Sequence, residues 1–77
     1  MSDFRLKVFL SVAKNLSFTK ASQELFVSQP AITKHIQELE TCYQARLFDR
    51  QGNKISLTEA GKLLQEHSEK ILEDYKR

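Results

Sequence analysis

Pro30 is the only proline in the 77-residue chain, and it constrains the fold more than any other residue. It stands in LFVSQPAITKHIQELE, residues 25–40, just ahead of Ile32, Ile36 and Leu39 at i, i+4, i+7. Inside a helix a proline removes a hydrogen bond and clashes with the preceding turn, but amides of the first turn have no helical partner to lose. It also pushes the residue before it, Gln29, away from helical angles. Pro30 therefore marks a beginning, and the apolar spacing predicts a helix from Ser28 or Gln29 to about Tyr43. One face of that helix needs a core. The opposite face carries Gln29, Thr33, Lys34 and Gln37.

The rest of the chain supplies partners for the apolar face. Residues 3–15 read as a helix with Leu6, Phe9, Leu10 and Ala13 at helical spacing and Val8 and Val12 widening the stripe. A short second helix opens near Thr19, capped by Ser17 or Thr19, because a hydroxyl can accept from a free first-turn amide. Its inward side is Ala21, Ser22 and Leu25, and Phe26-Val27 makes the next turn without glycine. The period then changes. ARLFDR and KISL flank QGN and predict a short hairpin turning at Gly52-Asn53, which must lean on the helices because two strands alone are unstable. Thr58 caps a last helix running to the end of the chain. Its apolar seam is Ala60, Leu64, His67, Ile71 and Tyr75, with Leu63 and Leu72 beside it.

A chain this short is one domain with a thin core, burying about 60% of its extended surface. Cys42, the single cysteine, forms no internal disulfide and fits a reducing, intracellular setting. The sequence shows no membrane span and no signal-peptide core. Net charge is only +2, unevenly spread: residues 1–58 carry eight Lys/Arg against five Asp/Glu, and residues 59–77 four against five. The basic excess lies where a phosphate-contacting part is expected.

The order helix, helix, tight turn, helix, hairpin, helix suits a helix-turn-helix, whose second helix enters the DNA major groove with its amino-terminal residues at base edges. The polar face fits that role. Gln29 can pair with adenine, Thr33 can hydrogen-bond or touch a thymine methyl, and Lys34 can reach guanine or phosphate. An ordinary solvated helix carries the same residue types, so the face alone does not decide.

The motifs in combination do decide it. SFTKASQELFVSQPAITKHIQELE, followed by RLFDRQGNKISLTEAG, resembles the amino-terminal domain of LysR-type transcriptional regulators over roughly residues 4–66. The resemblance implies a mainly α winged helix-turn-helix in residues 1–58, with the motif at about 18–37 and a two-stranded β wing at about 46–57. A linker helix over 58–77 would pair with its twin. It implies that Gln29, Pro30, Thr33 and Lys34 read bases. Ser17, Phe18 and Thr19, with Arg50, Gly52, Asn53 and Lys54 of the wing, would meet the DNA backbone or minor groove. Dimerisation falls to Ala60, Leu63, Leu64, His67, Ile71, Leu72 and Tyr75. The implied protein is a bacterial, cytoplasmic, nucleoid-associated homodimer or tetramer, continued by a domain that senses a small co-inducer and is expected to be missing here. Against the family's usual pattern, this chain has Tyr43-Gln44 for Leu-Gly, Asn53 and Lys54 for arginines, and Lys34 for an arginine that could grip bidentately.

Other chemistry is weakly represented. His35, Glu38 and Cys42 share one helix side at i, i+3, i+7 and do not close around zinc. No nucleophile, base and orienting group can be assembled, so an enzyme is not expected. The competing reading is a helical protein-interaction module built on the 58–77 seam; nonspecific architectural DNA binding is a third.

Overall fold

The computed structural model describes residues 3–75, with side chains described over residues 4–71. Helix α1 spans Asp3–Asn15, α2 Phe18–Leu25 and α3 Gln29–Tyr43. Strands β1 (Phe48–Gln51) and β2 (Lys54–Leu57) follow, and then helix α4, Glu59–Tyr75. The expected order holds throughout.

Local chemistry sets the helix starts. Ser17 accepts from the Lys20 amide and Ser28 from the Ala31 amide, each satisfying a donor with no helical partner. Pro30 stands in the first turn of α3, as its ring requires. Thr58 begins α4 and works in two directions. Its hydroxyl accepts from the Gly61 amide at 3.0 Å and donates to the Arg46 carbonyl at 2.6 Å, tying the helix to the segment before β1.

The helix ends are less ordinary. Phe26 ends α2 at φ 58° and Gln44 ends α3 at φ 53°, both left-handed, and Leu16 after α1 lies at φ 49°. Side-chain-bearing residues pay strain there that glycine avoids. The third helix thus keeps a left-handed ending although it has Gln44 where the resembled family has glycine. The Gln44 amide bonds back to Thr41 and the Ala45 amide to the Glu40 carbonyl, holding the turn.

The core joins Val8, Phe9 and Val12 of α1, Phe18 and Ala21 of α2, and Ile32, Ile36 and Leu39 of α3 with Leu47 and Phe48. Full burial of side chains such as Phe9 or Leu39 contributes about 1.5–3 kcal/mol each. Antiparallel β1 and β2 pair Phe48 with Leu57 and Arg50 with Ile55. These four share the inner face of the hairpin, because strand side chains alternate. Gly52 sits at φ 62° at the tip. Phe48 meets Phe9 at 5.4 Å and Phe18 at 6.2 Å between ring centroids, which seats the wing on α1 and α2.

The seam expected on α4 is divided. Ala60 and Leu64 pack against this chain's own core, and Ser68 continues that inward stripe, fully buried. Leu63, His67 and Ile71 are exposed. The side chains of Leu72 and Tyr75 lie outside the described residues.

Candidate nucleic-acid interface

α3 is two-sided. Ile32, Ile36 and Leu39 are buried, while Gln29, Pro30, Lys34 and Gln37 are exposed and Thr33 is half-buried. The polar face borders two clefts. The first, about 320 Å³, lies between the start of α2, the start of α3 and the wing. Ser17, Thr19, Gln29, Arg50, Gly52 and Asn53 line it. The second, also about 320 Å³, continues along α3 past Thr33 and Gln37 to Arg46. Arg50 borders both. Pro30, Lys34 and Lys54 are exposed and line neither.

Arg50 owes its position to strand register. It shares the inner face of β1 with Phe48, so its side chain turns toward α2, and its guanidinium carbon lies 4.8 Å from the centre of the Phe18 ring. A cation over an aromatic face is held by the ring quadrupole. Phe18 is itself 7% exposed and belongs to the core. Phe18 nevertheless lines the first cleft together with Ser17 and Thr19, the residues it was grouped with from sequence. Phe18 is the platform under Arg50.

Gln29 is also held. Thr19 Oγ1 donates to its Oε1 at 3.1 Å, across the mouth of the first cleft. The two hydroxyl residues therefore differ in duty. Ser17 is committed to capping α2, and Thr19 reaches the first residue of α3.

Arg46 and Gln37 were not among the site residues expected from sequence. The Arg46 guanidinium lies 3.5 Å from Glu40 and donates to the Phe48 carbonyl at 3.2 Å, with its side chain 70% exposed. Glu40 also accepts from the Leu47 amide at 2.8 Å, so one carboxylate both ties the loop to α3 and steadies the arginine. The sequence signal for Gln37 was its place on the polar face. Arg46 had only its position beside Leu47, which says nothing about a partner on α3.

The residues weighed as metal ligands go elsewhere. His35 packs edge-on against Phe4 at 5.4 Å with Nδ1 3.6 Å from Glu38, and Cys42 is exposed. Among the described residues no cluster of three His, Cys, Asp or Glu side chains could hold a metal ion. Among the same residues no helix is long and apolar enough to cross a membrane.

A second surface shares no lining residue with the two clefts. Tyr43, Leu47, Ala60, Leu63, Leu64 and His67 border an apolar groove of about 490 Å³ between the end of α3 and α4. Leu63 is 67% exposed at its edge.

Known proteins share this arrangement. The chain is 46% identical over 68 residues to a probable RuBisCO transcriptional regulator of Trieres chinensis, covering 88% of this chain and 22% of that one. It is 39% identical over 74 residues to the HTH-type transcriptional regulator CitR of Bacillus subtilis (strain 168), covering 95% of this chain and 25% of that one. It therefore spans a quarter or less of the length of these curated relatives. The crystal structure of a CbnR DBD–DNA complex superposes with a TM-score of 0.93 at 38% identity, covering all of this chain and 88% of that one. The model of the bacterial regulatory helix-turn-helix proteins of the lysR family matches residues 4–62, from α1 through the wing into α4. The wing seated on a three-helix core, the polar α3 face beside it and this match together establish that the chain belongs to the lysR family.

Proposed function

We propose that this chain is the sequence-specific DNA-binding domain of a LysR-type transcriptional regulator. In this reading α3 lies in the major groove, with Gln29, Pro30, Thr33 and Lys34 toward base edges. Arg50, Lys54 and the hydroxyl-lined mouth of the first cleft lie toward phosphates and fix position. The observation that carries the reading is the juxtaposition itself. An exposed row of hydrogen-bonding side chains on α3 opens directly onto a cleft bordered by Arg50. A docking face for a protein would present apolar anchors there. The lysR-family match and the fold shared with a DNA complex support the same conclusion.

The apolar groove beside α4 suits a second copy of the chain, with Leu63, His67 and Ile71 toward the partner helix. Two readers would then meet two related half-sites, and the target would be near-palindromic. The whole regulator is a cytoplasmic homodimer or tetramer in this proposal, with a co-inducer bound by a further domain and no catalytic activity of its own.

The test is selection from a random duplex library at near-physiological salt. A near-palindromic enriched site is the expected result. Gln29→Ala should then cost about 1–3 kcal/mol at one base pair of each half-site. Equal losses on enriched and random duplexes would remove Gln29 from base reading. No binding even at low salt would leave the α4 groove, and the interaction-module reading, as the better account.

A further inference from the structure

Gln29 does not project from α3 unaided. Thr19 Oγ1 donates to Gln29 Oε1 at 3.1 Å, linking the second residue of α2 to the first residue of α3. Both residues are exposed, so no packing in the core demands the contact. The Thr19 backbone is fixed independently, with its carbonyl accepting from Ser22 Oγ at 2.7 Å and the helix start capped by Ser17.

An amide side chain has two ends of opposite hydrogen-bonding sense. A free glutamine presents either end by turning its last torsion, which is broad. With Oε1 held by Thr19, the NH₂ group is the end left to face outward. The oxygen keeps a second lone pair, so pairing with adenine through N7 and N6 stays within reach. A hydroxyl has one proton. While Thr19 donates it to Gln29, it has none for a phosphate oxygen, which can only accept. Holding Gln29 and donating to the DNA backbone are therefore mutually exclusive for this hydroxyl.

We infer that Thr19 is a positioning residue for base recognition, its hydroxyl holding the Gln29 amide with Oε1 inward and the NH₂ group toward the major groove. Gln29 then acts as a donor toward a purine N7 or another acceptor, and rejects a base edge that offers a donor at the same place. This rests on the proposed reading of Gln29 as a base contact, and it moves Thr19 from the backbone contacts to the specificity apparatus.

Thr19→Val removes the hydroxyl at nearly constant volume, and Thr19→Ser keeps it. The first readout needs no DNA: nitrogen relaxation of the Gln29 side-chain amide. It should be ordered in the unmodified chain and in Thr19→Ser, and mobile in Thr19→Val. The second uses the duplex enriched by the unmodified chain and its single-base-pair variants at one salt concentration. Thr19→Val should lower discrimination at one base pair of each half-site about threefold to tenfold, with Thr19→Ser unchanged. Binding to random duplex should not move. Adding Thr19→Val to Gln29→Ala should change discrimination no further, since the two act as one unit. An amide as mobile in the unmodified chain as in Thr19→Val overturns the inference whatever the DNA results. So does a Thr19→Val loss that is equal on every duplex, random duplex included, at an unchanged salt dependence, which places the neutral hydroxyl on phosphate and leaves the reading of Gln29 intact. Unaltered discrimination in Gln29→Ala overturns the parent reading and the inference together, and the relaxation result separates that case from the others.

Discussion

Gln44 and Gly61 are residues whose identities run opposite to the backbone each occupies. Gln44 ends α3 at φ 53°, where a Cβ is disfavoured, and its side chain is exposed. Gln44→Gly should therefore raise stability by about 1 kcal/mol, the left-handed strain released less the extra freedom glycine gains when unfolded. Chemical denaturation at constant m-value checks it; an unchanged midpoint would mean that the hydrogen bonds around the turn already offset the strain. Gly61 is the reverse. A Cβ there would lie 2.2 Å from the Leu47 carbonyl oxygen and 2.9 Å from Leu57 Cδ2. Gly61→Ala forces α4 off the segment before β1 and should lower stability by about 1–3 kcal/mol. The sequence showed Gly61 only as part of a motif, because its need for closeness comes from a carbonyl fourteen residues away.

α2 is an element that cannot stand alone. At eight residues it is below the length at which an isolated helix persists. Glu24 fastens it to α1, accepting from Lys14, Asn15 and Ser11. The bond from Lys14, then those from Asn15 and Ser11, hold the Glu24 carboxyl down at about 2, against an ordinary 4.5. The folded state thus favours the ionised form more than the unfolded chain does. The stability this contributes is complete above about pH 4.5 and is lost as pH falls toward about 2. Glu24→Gln should flatten the dependence of the denaturation midpoint on pH across that window, and an unaltered slope would show the latch to be inactive. None of these partners was legible in the sequence, since periodicity reports which residues face inward and not which polar tips meet across two helices.

At the scale of the molecule, the clefts along the polar α3 face and the α4 groove share no lining residue, so they should separate by mutation. Leu63 is 67% exposed beside an apolar groove, and replacing it removes little from the core of its own chain. Leu63→Glu should leave the fold unchanged while driving the chain to monomer in sedimentation, and weaken binding to a two-half-site duplex more than to a single half-site. A dimer that survives the change would move the interface off this groove.

The sequence by itself determined the element order, the helix starts and the polar face of α3. Those rest on local causes: hydroxyl caps at Ser17 and Ser28, a proline that fits only a first turn, and apolar residues repeating at helical spacing. Only the tertiary structure decided that Phe18 is a core platform beneath Arg50, that Thr19 holds Gln29, that Glu40 joins Arg46 to the Leu47 amide, and that the α4 seam divides into an inward and an outward stripe. Each of these depends on where the wing or a neighbouring helix comes to rest. That resting place is set by packing between residues distant in the chain, which no local pattern encodes.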